Sequence, residues 1–405
     1  MKYQETDLVR IAKRENNNKR KYLVVNPLQG KHIPVSPEKA FQMMDALAQQ
    51  IRLAYPKERL LLVGFAETAT AIGARLAVKL ETGFMQTTRE QIPGVEYLYF
   101  TESHSHATEQ KLVKDDLDAN LGQYERIVFV EDEVTTGNTI LKIVEIIRNV
   151  YPGNIQFSVA CLLNGMEEEA QKRYQQQGIA IHELLKIDHS SYTEQAEHCQ
   201  GDGKYIAVAK DGQSITEASS IEEGTERLEK QQIKRIWLSE DQESGREIEE
   251  IWLSGYQNTR RYTEGRKYDA ACEMLWQQIQ GRFPLVQGRR CLVLGTEEFM
   301  YPALYVGAKL QKAGFDVCCH ATTRSPIEVS RKEGYPLHER YELWSFYEEQ
   351  RRTFVYDLTV YDQVLILCDA TGQIKKGLDS LISALRLAGN KNIICYRWCE
   401  DEKLL

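Results

Sequence analysis

Along the first half of the chain, short runs of apolar residues alternate with longer stretches whose apolar positions recur every three or four residues. Compact apolar runs bounded by turn residues predict buried strands, and the three-four spacing predicts helices with one buried face. Strands are therefore expected at KYLVV (21–25), RLLLVGF (59–65), VEYLYF (95–100), RIVFVED (126–132) and IQFSVACLL (155–163). Helices are expected over 37–54, 68–80 and 139–151. Strands separated by helices at this spacing predict βαβ units, a mostly parallel sheet and an α/β fold.

The pattern changes at residues 214–260, which are dense in charge and poor in aliphatic side chains. They read as a charged helical connector, with IWLSGY (251–256) as a strand that docks it. Beyond it, YDAACEMLWQQI predicts a helix, RRCLVLG (289–295) a strand, and a second alternating α/β pattern runs on. The expected domains are 1–213, a connector at 214–260, and 261–405.

The two halves run in parallel. Residues 61–90 and 292–326 both read strand, glycine, Glu-containing loop, helix with a central Gly-Ala, then a strand ending in Thr-Thr-Arg. In each half a later apolar strand ends in acid (VFVED, 128–132; LILCDA, 365–370) and is followed by Thr-Gly and a helix. The second domain is expected to be Rossmann-like and a degenerate copy of the first, with a candidate site at Glu297, Glu298, Thr322, Thr323, Arg324, Ser325 and Asp369.

Composition removes some functions. The 405 residues carry 51 Lys+Arg against 59 Asp+Glu, a formal net charge of -8, so no sequence-independent pull toward nucleic acid is expected. No apolar run reaches 18 residues and the start lacks a signal-peptide core, which predicts a cytoplasmic chain without membrane spans. The nine cysteines are scattered without a CxxC and several sit in apolar runs, as small hydrophobes in a reduced protein do.

The segment with chemistry is IVFVEDEVTTGNTI (127–140). A strand ends in acids, and a turn of small hydroxyl residues leads straight into a helix. Small residues let the backbone approach a phosphate, and loop and helix-start amides donate to its oxygens. Thr135, Thr136 and Thr139 add hydroxyl donors, and Glu131 and Asp132 are placed to hold vicinal sugar hydroxyls. Ligands of open α/β sheets bind at the carboxyl ends of the strands.

This segment resembles the phosphoribosyl-pyrophosphate (PRPP) signature of type I phosphoribosyltransferases, departing at Glu133 and mildly at Phe129. The resemblance implies a 5′-phosphate loop made of Glu133, Val134, Thr135, Thr136, Gly137, Asn138 and Thr139. It implies a pyrophosphate loop at Ala66, Glu67, Thr68 and Ala69, with Glu67 acting through Mg2+ or capping the following helix. Arg89 of QTTRE falls where the family carries a basic residue toward pyrophosphate, and a guanidinium pairs bidentately with phosphate. ESHSHATEQK (102–111) matches the family's flexible catalytic loop, with His104 and His106 as contacts to pyrophosphate or base and Lys111 as a neutralising cation.

GKHIPV, GFAETATAIG, TTR, ESHSHAT, EDEVTTGNT, LGTEEFMYP and ATTRSPI together resemble a narrower group. This is the orotate-phosphoribosyltransferase-like family of bacterial tellurite-resistance-type stress operons, with its C-terminal TRSP domain. That resemblance implies transfer of phosphoribosyl between PRPP and an unidentified base-like acceptor, in either direction, within a stress-linked biosynthetic pathway. Mg2+ is implied through the substrate, with Glu131 and Asp132 as available ligands. A homodimer is compatible with it, and the acceptor hood is expected in the 20–40 segment, with Lys31 and His32. The competing reading is a non-catalytic PRPP- or nucleotide-binding regulator.

Overall fold

The computed structural model describes residues 2–15, 20–100, 110–208, 223–228, 231–238, 248–281, 289–372 and 374–400. Its contacts divide the chain into two compact units. The first comprises Met1–Glu5, Phe41–Asp188 and Gly255–Gln277; the second comprises Thr6–Ala40, His189–Ser254 and Gln278–Leu405. This partition differs from boundaries at 213 and 260, because each unit keeps a segment that the linear pattern assigned elsewhere.

In the first unit, strand β1 (Leu60–Gly64) is followed by helix α1 (Thr70–Leu80) and strand β2 (Gly83–Gln86). A hairpin of β3 (Tyr97–Phe100) and β4 (Gln110–Val113) precedes β5 (Arg126–Val134), helix α2 (Asn138–Val150), β6 (Gln156–Asn164) and β7 (Ala180–Lys186). The sheet order is β2-β1-β5-β6-β7, all parallel, with Thr263–Glu264 added antiparallel beside β2. Every residue of β1 is buried, as expected for a central strand covered on both faces. α1 lies close on the sheet because Gly64 and Gly73 have no side chains: a Cβ on Gly73 would come within 2.8 Å of the Phe84 ring and 3.1 Å of the Gly64 Cα.

The second unit repeats this order. β8 (Arg290–Gly295), helix α3 (Tyr301–Lys312), β9 (Asp316–Ala321), a hairpin of β10 (Glu339–Trp344) and β11 (Arg352–Tyr356), β12 (Gln363–Cys368), helix α4 (Lys375–Leu387) and β13 (Ile393–Trp398) follow in sequence. The parallel sheet runs β9-β8-β12-β13, with Glu249–Leu253 parallel at the far edge. Numbered by appearance, both units thus place their first four parallel strands in the order 2-1-3-4. Ladder register also agrees: Gly64 opposes Val130 and Gln86, and Gly295 opposes Leu367 and Ala321. Cys368 and Asp369 therefore occupy the places of Glu131 and Asp132.

Two expectations change. In the 214–260 stretch the described segments Glu223–Leu228 and Gln231–Leu238 are strands, not helix, while Glu249–Leu253 falls at the strand expected from IWLSGY. Gln231–Leu238 pairs with both Glu223–Leu228 and Lys204–Val208, so sheet pairing overrides what charge density suggested. The 20–40 segment belongs to the second unit, where Lys31 and His32 are buried. His32 packs edge-on to Tyr356, and Val35 bridges antiparallel to Cys319 on β9. The segment thus contributes to the second unit rather than the first. Among the described residues, no helix is long and apolar enough to cross a membrane.

Candidate active site

The carboxyl ends of β1, β2 and β5 meet at the point where the strand order reverses, the place where open α/β sheets bind ligands. β5 delivers Glu131, Asp132 and Glu133, all half-buried. Burial and the neighbouring charge of Asp132 hold the Glu131 carboxyl well above the usual carboxylate range, with Glu133 adding to it. Crowded carboxylates of this kind are relieved by hydroxyl donors or by a cation.

After Val134 the chain turns through Thr135, Thr136 and Gly137 into α2, whose first residues are Asn138 and Thr139. Gly137 sits at φ 69 and caps the helix without a side chain. Its carbonyl accepts from the Tyr174 hydroxyl at 2.7 Å, and a Cβ there would lie 2.4 Å from that oxygen. Glycine is thus required both by the left-handed backbone and by Tyr174. Thr136 and Asn138 are exposed, and the first-turn amides of α2 have no intrahelical acceptor, so loop and helix end offer donors to an anion.

The loop from Phe65 to Ala69 joins β1 to α1. Its backbone is gripped at Ala66: the N–H donates to Thr87 Oγ1 at 2.8 Å, and the carbonyl accepts from Gln110 Nε2 at 3.1 Å. Thr87 in turn donates to Gln110 Oε1 at 3.1 Å. Glu67 is buried and Thr68 half-buried. The N-cap of α1 is Ala69, which has no side-chain oxygen to cap it, and the Glu67 carbonyl accepts from Thr70 Oγ1 at 3.1 Å. Arg89 follows β2 at the same sheet edge and is half-buried. Lys111 is buried, its Nζ bonded to Gln91 and lying 4.7 Å from the Tyr97 ring centroid, so its charge is used within the hairpin. His104 and His106 lie outside the described residues.

Strand-end acids, an amide-rich helix entry, a second pinned loop and Arg89, which follows β2, lie together at the carboxyl ends of the sheet. Residues 8–194 match the family described as Phosphoribosyl transferase, and residues 259–385 match the TRSP domain described as C-terminal to it. The chain is thus similar to a phosphoribosyltransferase domain over 8–194 and to a TRSP domain over 259–385. It is an enzyme of the glycosyltransferase type with a phosphoribosyltransferase fold. Among curated proteins none matches.

Similar solved structures include adenine phosphoribosyltransferase from Rhodothermus marinus, at 17% identity and TM-score 0.34, covering 45% of this chain and 96% of that one. The Giardia lamblia enzyme complexed with 9-deazaadenine gives 17%, TM-score 0.33, and coverage of 44% and 94%. The Thermoanaerobacter pseudethanolicus enzyme gives 19%, TM-score 0.32, and coverage of 44% and 96%. The fold itself rests on the strand order and register given above.

The TRSP domain builds the equivalent corner from the same backbone contacts. Thr87 N and Thr322 N donate to the carbonyls of Gly64 and Gly295. Ala66 N and Glu297 N donate to Thr87 Oγ1 and Thr322 Oγ1. Thr88 exchanges backbone bonds with Lys111, as Thr323 does with Phe354, and Glu90 N and Ser325 N donate to Thr88 Oγ1 and Thr323 Oγ1.

What fills the TRSP corner is different. Glu297, fully buried at φ 47, accepts from Arg324 Nε at 2.6 Å, Arg351 at 3.1 Å and Ser345 Oγ at 2.5 Å. Glu298 accepts from Arg324 at 3.3 Å. Tyr347 donates to Asp369 at 2.6 Å and lies 2.8 Å from Thr296 Oγ1. All seven sequence candidates of this domain do gather at one sheet edge. Ser345, Tyr347 and Arg351, from the β10–β11 loop, join them. Nothing in the sequence marks those three residues, or Tyr174 in the first site; Thr87 and Gln110 lie within the QTTRE and ESHSHATEQK segments, but their bonds to Ala66 emerge only from the structure.

Among the described residues, no group of three or more His, Cys, Asp or Glu side chains is arranged as a metal cage. A Mg2+ entering on a pyrophosphate needs only one or two protein carboxylates, and Glu131 and Asp132 offer hard oxygen donors in a charge-crowded setting.

Proposed function

We propose that the chain transfers a phosphoribosyl group between PRPP and a base-like acceptor, in a single site at the ends of β1, β2 and β5. The observation that carries this reading is the acidic pair running directly into the Gly137 turn and the α2 amides. In the reaction the anomeric carbon loses its bond to pyrophosphate and gains one to an acceptor nitrogen, passing through oxocarbenium character. The protein's work is positioning and charge stabilisation. Glu131 and Asp132 accept from the ribose hydroxyls and face the developing positive charge. The amides and hydroxyls of 135–139 hold the 5′-phosphate, while Arg89 and the 66–69 loop receive pyrophosphate. Mg2+, held through the substrate by Glu131 and Asp132, would supply further neutralisation of pyrophosphate charge.

The TRSP corner, with cysteine at the first acid's place and its second acid tied to Tyr347, is read as a degenerate and closed copy. The chain is taken as cytoplasmic, with no direct nucleic-acid or membrane partner, and a homodimer is compatible with one site per chain. The orotate-type and stress-pathway setting follows from sequence resemblance and is addressed by metabolites lost on deletion of the protein. The direct test is pyrophosphate release from PRPP and Mg2+ over a panel of bases, with Asp132→Asn as control. Turnover with one base, abolished in the variant, supports the reading. Tight PRPP binding without turnover on any acceptor replaces it with the regulator.

A further inference from the structure

We infer that Thr87 and Gln110 are positioning residues that set the 66–69 loop for pyrophosphate, an inference that rests on the phosphoribosyl reading above. The three hydrogen bonds form a closed ring: Ala66 N–H to Thr87 Oγ1, Thr87 O–H to Gln110 Oε1, and Gln110 Nε2–H to the Ala66 carbonyl. A carbonyl only accepts, so one orientation of the Gln110 amide satisfies the ring. Both polar groups of Ala66 are consumed by it, which fixes the plane of the backbone on either side of that residue. Loop amides aimed at an anion hold it well only when their direction is set before it arrives. Thr87 is fully buried, so its own rotamer is locked by packing.

The TRSP domain supplies an internal control. It keeps the threonine half of the ring, Thr322 accepting from Glu297 N at 3.1 Å. It lacks the amide half: the hairpin bridges Thr88 to Lys111 and Thr323 to Phe354, so Thr353 stands in Gln110's place, and its hydroxyl donates to the Trp344 carbonyl instead. There the loop is fixed by the Glu297 side chain on Ser345, Arg324 and Arg351. The threonine bond is common to both corners, whereas the carbonyl grip by Gln110 accompanies the corner with the acidic pair and the Gly137 turn.

The test compares two probes by calorimetry on the full chain with Mg2+: PRPP, and ribose 5-phosphate, which lacks the pyrophosphate. In Thr87→Val and Gln110→Glu, PRPP affinity is expected to fall about tenfold, the scale of a lost buried hydrogen bond, while ribose 5-phosphate binding is unchanged. Thr87→Ser, which keeps the hydroxyl, is expected to restore PRPP affinity. Equal weakening of both ligands, or retention of the wild-type PRPP preference in both variants, overturns the positioning role. A wild-type chain that prefers neither ligand overturns the phosphoribosyl reading itself, and with it this inference.

Discussion

The two Thr-Thr-Arg corners share a backbone and differ in what they do with charge. In the phosphoribosyltransferase domain, Ala66 stands at the loop position where the TRSP domain has Glu297, and Glu131 stands where it has Cys368. The first corner leaves Thr136 and Asn138 exposed and the β5 acids Glu131, Asp132 and Glu133 half-buried, while Glu67 is buried. The second buries Glu297, Glu298 and Asp369 and meets them with arginine, serine and tyrosine from its own chain. The same hydrogen-bonded frame therefore carries the proposed receptor in one unit and a packed junction in the other.

The largest effect expected from this contrast is on stability. Removing one partner of a buried ion cluster is costly, so Glu297→Ala is expected to cost about 3–5 kcal/mol, from losing its bonds to Arg324, Arg351 and Ser345 at once, with Glu298 and Glu348 left to hold the two arginines. Glu67→Ala in the first corner, whose loop backbone is held by Thr87 and Gln110, should cost much less. Denaturant unfolding of both variants checks this, and equal losses would erase the distinction between junction and receptor.

Activity should show the reverse asymmetry. Asp132→Asn is expected to reduce pyrophosphate release from PRPP by about 10²–10³-fold, the scale seen when a group aimed at transition-state charge is removed. Asp369→Asn, at the matching ladder position, should leave that rate unchanged. A comparable loss in both would mean that the TRSP corner takes part in transfer.

The alternation of strands and helices, the acidic strand end and the paired Thr-Thr-Arg turns were legible because each is local: its signal lies within one turn or one period. The β10–β11 loop was not, since Ser345 and Arg351 reach Glu297 across 48 and 54 residues. Lys31 and His32 look like ligand-binding side chains in isolation. Only the bridge of Val35 to β9 shows that their segment serves the second unit's core. Charge density misled over 223–238, where pairing partners rather than composition settle the conformation. The register supplies what the sequence lacked: Cys368 follows the residue opposite Gly295 as Glu131 follows the residue opposite Gly64.

Acid–base behaviour should also separate the corners. Because Glu131 is held above the ordinary carboxylate range, the folded chain binds its proton more tightly than the unfolded chain does. Stability in the absence of ligand is then expected to fall as pH rises from the ordinary carboxylate range through the raised value. One proton contributes at most about 1.4 kcal/mol per pH unit. Glu131→Gln should flatten that slope in thermal melts taken across pH, whereas Cys368→Ser, at the matching position, should not. An unchanged slope in the glutamine variant would show that the carboxylates at 131–133 do not crowd one another.

The smallest effect concerns closure of the second corner. Tyr347 reaches both Asp369 and Thr296, so its hydroxyl ties the β10–β11 loop to the ends of β12 and β8. Tyr347→Phe keeps the ring and its packing and removes only the polar ties, at an expected cost of about 1 kcal/mol. Because Ser345 and Arg351 still hold Glu297, the loop should loosen without leaving. Amide hydrogen exchange is expected to quicken around 345–351 while the β3–β4 hairpin of the first unit stays as it was. If exchange is unaltered there, the salt links on Glu297 suffice to close the corner and the tyrosine is a packing residue. If the variant also gains PRPP binding at a second site, the corner is a suppressed receptor, kept shut by a single hydroxyl.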